Sequence, residues 1–348
     1  MPDDVDIAAL AHAWPFLGPA MALTLTSLSG GTNNTLYRVA VAAPGALAYV
    51  LRLAAPHQDE AHARLEATTL AKLARRGLPF AIPAPLPTAD GAPWSMLPTG
   101  NRTARATLTQ LIAGAPPDRA NLAQAEAAGA AIGALDAALA QIALPEEVAQ
   151  SAQTWRSAGR LDQINPRVPD PPAAFATLPL PAEQIARLQA GYAAVMERLP
   201  AFYVTLPQQL VHEDTDPGNL LMDGARVTGI LDFEFLSYDI RATDLLVALV
   251  WWPEHVRWSG GEWPLIAALA RGYARALRLT EPEITALPTL HHMRGYTSLI
   301  HRLGRQRQGL SPMAHVVARA VAALNWMDWL DRNGARLASI VAEAMAGD

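Results

Sequence analysis

Between residues 210 and 234 the chain reads LVHEDTDPGNLLMDGARVTGILDFE, and no other stretch narrows the possible folds as far. Two apolar runs flank Asp223-Gly224, a dipeptide that favours the tight two-residue turn of a β-hairpin. Helical patterns lie on both sides, so the fold must set one short hairpin inside a mainly helical region. If the runs pair about that turn, Asn219 and Asp232 meet at its open end, because antiparallel neighbours sit about 5 Å apart. An amide oxygen and a carboxylate at that separation suit a hard cation such as Mg²⁺, which takes oxygen ligands. Asp214 lies on the loop just before, faces the same space, and can orient or deprotonate a hydroxyl. Pro217 and Gly218 shape the loop so that Asp214 and Asn219 both point inward. A base, an amide ligand and a carboxylate ligand are the parts of a phosphoryl-transfer site.

The first third of the chain carries a different pattern. Leu23, Leu25 and Leu28 lead into Ser29-Gly30-Gly31-Thr32-Asn33-Asn34, and residues 36–41 alternate as a return strand. A third strand is expected over 47–53, then a helix from about Asp59 to Arg76, stopped by Gly77 and Pro79. Pro83 and Pro85 lead into a short strand, a turn at Asp90-Gly91, a strand near 94–97 and an extended run over 107–112. The cluster Gly114-Ala115-Pro116-Pro117 marks a boundary between lobes. Beyond it, residues 122–144, 182–199 and 263 to the C-terminus read as helix. Six prolines between Pro166 and Pro181 read as an extended surface linker.

Composition excludes several classes. The chain has 348 residues, 51% of them hydrophobic and 17% charged, enough apolar material for a sizeable core in about two domains. A net charge of −5 with no dense basic block argues against a nucleic-acid partner. The absence of cysteine removes disulfides, thiolate zinc sites and thiol nucleophiles, and fits a cytoplasmic protein. The longest apolar run, residues 245–252, is far short of the roughly 20 residues of a membrane span. Lys72 is the one lysine, which leaves almost no choice of catalytic lysine.

With these residues in hand, the chain resembles the aminoglycoside phosphotransferase and choline kinase-like family, a branch of the protein-kinase-like fold. The resemblance rests on His212, Asp214, Asn219 and Asp232, with Asp244 in the place of a downstream acid that braces the catalytic loop. Through Tyr49-Val50-Leu51-Arg52 and residues 232–235 it is nearest the homoserine kinase type II group. The resemblance implies an α+β, bilobal fold: a five-stranded antiparallel lobe with one helix over residues 1–112, and a helical lobe over 113–348 that carries the catalytic loop and substrate site. It implies ATP and Mg²⁺ between the lobes and transfer of the γ-phosphoryl group to the hydroxyl of a small molecule. In that scheme Gly30, Gly31 and Asn33 cover the phosphates, Arg52 holds them, and Glu66 pairs with Arg52. Asn219 and Asp232 hold metal, Asp214 acts as the base, and His212 and Asp244 support the loop.

The chain departs from the pattern in places. Arg52 stands where protein kinases have lysine, Glu213 where many relatives have glycine, and Asp136 where they often have histidine. Arg52 and Glu213 are the features that favour a rival reading, a non-catalytic nucleotide-binding regulatory protein. A metal hydrolase built on His212, Asp214 and Asp216 would need a second ligand cluster, which the sequence lacks. Trp251, Trp252, Trp258 and Trp263 read as a core or interface cluster rather than a pocket wall. His291, His292, His301, Arg302, Arg305 and Arg307 read as a solvated basic helix face rather than an anion site. The acceptor could be homoserine, an amino alcohol, a sugar or an aminoglycoside, and the sequence leaves oligomeric state open.

Overall fold

The computed structural model describes residues 5–28, 34–43, 45, 47–55, 59–100, 102–154 and 161–347. Helix α1 (Ile7–Ala13) is capped by Asp6, whose carboxylate accepts from the Ala9 amide at 3.0 Å. Strands β1 (Leu23–Leu28), β2 (Thr35–Val41) and β3 (Ala48–Leu53) follow, then α2 (Glu60–Leu73), β4 (Ser95–Thr99) and β5 (Arg102–Gln110). The five strands form one antiparallel sheet in the order β1-β2-β3-β5-β4. Alternation decides its faces. Tyr37 and Val39, Leu51 and Leu53, and Ala104, Ala106 and Leu108 point to one side and bury there with Leu10, Trp14 and Leu17. Arg52, one residue out of phase with Leu51 and Leu53, therefore stands on the opposite face, level with Thr107.

The helical region contains α3 (Leu122–Leu139), α4 (Glu146–Thr154), α5 (Pro171–Phe175) and α6 (Ala182–Thr205). Strands β6 (Gln208–Val211), β7 (Leu220–Asp223), β8 (Arg226–Ile230) and β9 (Ser237–Ile240) interrupt it. Helices α7 (Thr243–Trp251), α8 (Glu262–Ala274), α9 (Glu281–Arg307) and α10 (Met313–Ala346) complete it. The alanine-rich α3 owes its composition to close backbone approach. A Cβ on Gly129 would lie 2.0 Å from the Leu269 carbonyl, and one on Gly272 would lie 1.9 Å from that of Glu126, so α3 and α8 pack backbone to backbone only with glycine there. Leu65, Leu70 and Leu73 of α2 join this helical core, not the core beneath the sheet, so α2 ties the two regions together.

Some expectations change. The hairpin about Asp223-Gly224 forms as β7–β8, with Gly224 at φ 58°. The short strand expected after Pro85 is absent. Leu86 makes one bond to Leu108, and Pro83, Pro85 and Pro87 leave too few N–H donors for a ladder. The proline-rich stretch is no surface linker either: Val168, Phe175 and Leu178 bury in the main core and Pro171 starts α5. The β6–β9 pair, antiparallel and four residues long, was not foreseen.

Candidate active site

The catalytic loop hangs between two short strand pairs and is fastened from below by α7. Asp244, in the first turn of α7, is fully buried, and its two carboxylate oxygens accept the backbone N–H groups of His212 and Glu213, each at 2.7 Å. Its own carbonyl accepts the Thr215 hydroxyl at 2.5 Å. Two charge-assisted bonds from a helix N-terminus, where negative charge is favoured, fix the loop backbone. His212, also buried, locks it from the other side. Its Nδ1 accepts the Asp214 amide at 3.1 Å, so Nε2 carries the hydrogen and donates to the Leu231 carbonyl at 2.9 Å. That bond joins the catalytic loop to the strand end that carries Asp232.

Asn219 ends a single turn of 3-10 helix just before β7. Its Nδ2 donates to the Asp214 carbonyl at 2.9 Å and to Asp214 Oδ2 at 2.8 Å, while Leu231 donates to the Asn219 carbonyl across the hairpin. Asp232 follows with φ 60°, and Glu213 has φ 67°; both are left-handed conformations that cost a non-glycine residue about 1 kcal/mol or more. The surrounding bonds hold both in place. Burial first, then Glu234 and Asp214, push the Asp232 carboxyl up to about 7, with Arg52 pulling the other way. Three acids thus crowd one cleft.

Across that cleft Arg52 Nη1 meets Glu66 Oε1 at 2.7 Å, with the Glu66 side chain only 3% exposed. Burial disfavours the charge on Arg52, but Glu66, and more weakly Asp232 and Glu234, outweigh it and raise its pKa. Asn34 donates to Glu234 at 2.7 Å, and a His62 ring nitrogen bonds the Glu234 carbonyl at 2.6 Å, so β2 and α2 both clamp the segment after Asp232. Gly30, Gly31 and Asn33 lie outside the described residues. Lys72 donates to the Ala143 carbonyl at the surface and stands apart from this cluster.

The sequence reading missed Arg294. From the middle of α9 it reaches Asp214 Oδ1 at 3.2 Å and Glu213 Oε2 at 3.5 Å. The extra negative charge at Glu213 is therefore met by a guanidinium. The reading of α9 as a solvated basic face is corrected: His291 is buried, and Arg294 lies against the catalytic loop. A basic residue on a predicted helix, two positions after the His291-His292 pair, gave no local signal for this. The tryptophans do form a packed cluster: Trp252 is fully buried, Trp263 stacks on Trp329 and Trp251 meets Trp326 edge-on, while Trp258 is half exposed. Below the loop, Asp136 is completely buried on α3. Tyr273 of α8 donates to its Oδ2 at 2.6 Å, and its Oδ1 lacks a donor. Burial, then the charge of Asp244, raise its pKa well above the usual carboxylate range.

A half-buried carboxylate, an amide beside it, a crowded acid and an anchored arginine across a cleft match the parts expected of a phosphotransferase site on a bilobal α+β fold. The model of the phosphotransferase enzyme family (APH) matches residues 24–290, and the chain belongs to that family. A homoserine kinase of Methylocella silvestris is 27% identical over 292 residues, 82% of this chain and 81% of that protein. Homoserine kinases of Brucella species reach 40% identity, but only over 85 residues, and the chain spans about a quarter of their length (26%) in that match. Among solved structures, a microcompartment-associated aminopropanol kinase superposes with a TM-score of 0.65 at 18% identity, over 95% of this chain and 98% of its own. An amicoumacin kinase in complex with AMP-PNP and Ca²⁺ gives 0.66 at 13% identity, over 93% and 92%. These two likenesses establish the protein-kinase-like fold.

Proposed function

We propose that this chain transfers the γ-phosphoryl group of ATP to the hydroxyl of a small molecule in the cytoplasm, with Mg²⁺. Residues 1–112 take the nucleotide, and residues 113–348 supply the base and the acceptor site. Gly30, Gly31 and Asn33 cover the phosphates, and Arg52, braced by Glu66, binds them. The acceptor hydroxyl gives its proton to Asp214 as its oxygen attacks the γ-phosphorus and the bond to the ADP oxygen breaks. Asn219 holds Asp214 in place. His212 and Asp244 position the loop without touching substrate. Homoserine-like, amino-alcohol, sugar and aminoglycoside alcohols are the candidate acceptors. Among the described residues no helix is long and apolar enough to cross a membrane.

The donor set fits Mg²⁺. Burial and then the neighbouring acids raise Asp232, and a nearby cation would offset both, while the Asn219 Nδ2 bonds leave its Oδ1 uncommitted. Among the described residues no group of three His or acidic side chains forms a closed metal cage, which suits an ion that leans on substrate phosphates and water rather than a hydrolase centre. Bound there, Mg²⁺ would offset phosphate charge during transfer. The observation that carries the proposal is the Asp214–Asn219 pair at 2.8 Å, fixed by Asp244 and opening on the same cleft as Arg52. The test is ADP release from Mg-ATP against a panel of alcohols, with nucleotide binding measured separately. Binding of AMP-PNP that ignores Mg²⁺, with no acceptor turned over, would favour the non-catalytic rival.

A further inference from the structure

The side of Asp214 that faces α9 and α10 has an excess of positive charge that the phosphotransfer chemistry does not use. Arg294, His301, Arg302 and Arg305 fall at i, i+7, i+8 and i+11 on α9 and share one helix face. Arg319 approaches from α10. Its guanidinium lies 4.7 Å from the centre of the Trp251 ring, and its Nη1 is buried without a hydrogen-bond partner. Arg294 Nε is buried and unbonded as well, although its two Nη atoms meet Glu213 and Asp214. Among the described residues no carboxylate lies within ion-pair distance of Arg302 or Arg319. The groups sense one another. Burial lowers His301 to about 4, and Arg305, Arg302 and Arg294 add to that shift, opposed only by Asp214. Burial also lowers Arg319; of the charges around it, Glu254 acts against that shift, Arg302 and Arg294 add to it, and Asp216 opposes it.

The carboxylates that touch Asp214's arginine neighbour offer a cationic acceptor little, although Asp216 and Glu254 lie within electrostatic reach of Arg319. An ammonium group needs a free carboxylate or an open aromatic face. The carboxylates of Glu213 and Asp214 already face Arg294. Three of the indole rings already carry one of the chain's own guanidinium groups: Arg319 on Trp251, Arg257 on Trp326 at 4.8 Å and Arg336 on Trp263 at 4.2 Å. Half-buried guanidinium groups that lack an ion-pair partner among the described residues, as Arg302 and Arg319 do, are costly unless an anion completes them, and their planar forks match carboxylate and phosphate oxygens.

We propose that Arg294, Arg302 and Arg319 form an anion-binding subsite beside Asp214, and that the acceptor is a small alcohol bearing a carboxylate or phosphate group a few bonds from its hydroxyl. The proposal rests on the kinase reading for the role of Asp214. The contact between Arg294 and Asp214 sets the scale: hydroxyl and anion must reach adjacent groups. Glu213 holds Arg294 from behind, which accounts for an acid at a left-handed position where glycine would be unstrained.

The test uses L-homoserine, 4-hydroxybutyrate, sn-glycerol 3-phosphate, 3-amino-1-propanol and choline on the full chain. Each is titrated calorimetrically with and without Mg-AMP-PNP, and each is assayed for ADP release from Mg-ATP. Arg302→Ala, Arg302→Gln and Arg319→Ala are compared with wild type, with melting temperature as the folding control. The expected result is binding of one or more anionic alcohols, weakened about tenfold or more in KM or Kd by either arginine change, with kcat moving less than about threefold. The first two compounds against the third decide between carboxylate and phosphate. Tighter binding of choline or aminopropanol than of every anionic alcohol overturns the proposal, as does anion binding indifferent to all three variants or no anion binding at all. Failure of the kinase reading looks different: Mg-AMP-PNP does not bind or no alcohol turns over, while the anion titrations still report on the subsite.

Discussion

The two walls of the cleft handle charge in opposite ways. On the sheet side, Arg52 is matched to Glu66 at 2.7 Å and sits among further acids, so the protein supplies its own counter-charge. On the α9–α10 side, Arg302 and Arg319 lack a carboxylate partner among the described residues, and Arg319 leaves a donor buried and unbonded. The first wall carries its own ion pair, although Glu66 Oε2 is buried without a bond; the second presents guanidinium groups that no carboxylate among the described residues pairs, and we infer that a bound anion completes it. A binding surface whose ligand varies between relatives is expected to look unfinished, while one whose ligand is always a nucleotide can be fixed by internal pairs. The catalytic loop lies between them, held by Asp244 and His212 and touched by Arg294 from the second wall.

Asp214→Asn tests the element both walls depend on and should have the largest effect. The amide cannot take the acceptor proton, so kcat falls on the order of 10³-fold while AMP-PNP affinity stays within a few-fold. Unchanged turnover with a verified acceptor would sink the base assignment. Next in size is Asp232→Ala. Wild type should bind ATP tightly only with Mg²⁺, and the variant should lose most of that metal dependence, about 100-fold, as should wild type treated with EDTA. Tight metal binding without nucleotide would contradict two-ligand coordination.

The motif between residues 210 and 234 was legible because its parts are close in sequence and a single Asp-Gly turn folds them together. Asn219 and Leu231, the residue before Asp232, need only the register of one hairpin to meet. Arg52 and Glu66 were legible for a similar reason, one on a strand and the other on the apolar face of the next helix. Arg294 and Arg319 were not. They come from helices whose apposition is set by core packing, and a basic residue on a helix reads equally well as solvated. The same limit hid the β6–β9 pair, whose strands of four residues are too short to show a period. It also hid the packing of residues 166–181, where three apolar side chains outweigh six prolines.

Arg52→Ala sharpens the contrast on the sheet side. It removes a phosphate contact and strands the Glu66 carboxylate, so ATP binding should weaken about tenfold and stability should drop by about 3 kcal/mol. Arg52→Ala with Glu66→Ala should regain part of the stability and none of the nucleotide affinity. If affinity returns with stability, Arg52 serves the fold alone.

The smallest predicted effect on activity lies beneath the loop, where the expected change is a pH dependence of stability. Asp136 is buried with one oxygen bonded by Tyr273 and the other without a donor, and burial and Asp244 raise its pKa. A proton on that free oxygen lets it donate towards Asp244, the residue that carries two loop amides. Its folded pKa is above its unfolded value, so the linked stability is fully present below about pH 4. Above that the unfolded chain releases the proton while the folded protein keeps it. Stability therefore falls with rising pH, at most about 1.4 kcal/mol per unit, until the folded group ionises too. Asn at this position keeps an acceptor for Tyr273 and a donor for Asp244 and cannot ionise. Asp136→Asn should match wild type in melting temperature near pH 4 and exceed it increasingly towards pH 8, with little change in kcat at neutral pH. A melting difference that stays flat across that range would mean that Asp136 is ionised in the folded protein, and that a second negative charge, not a proton, lies beside Asp244.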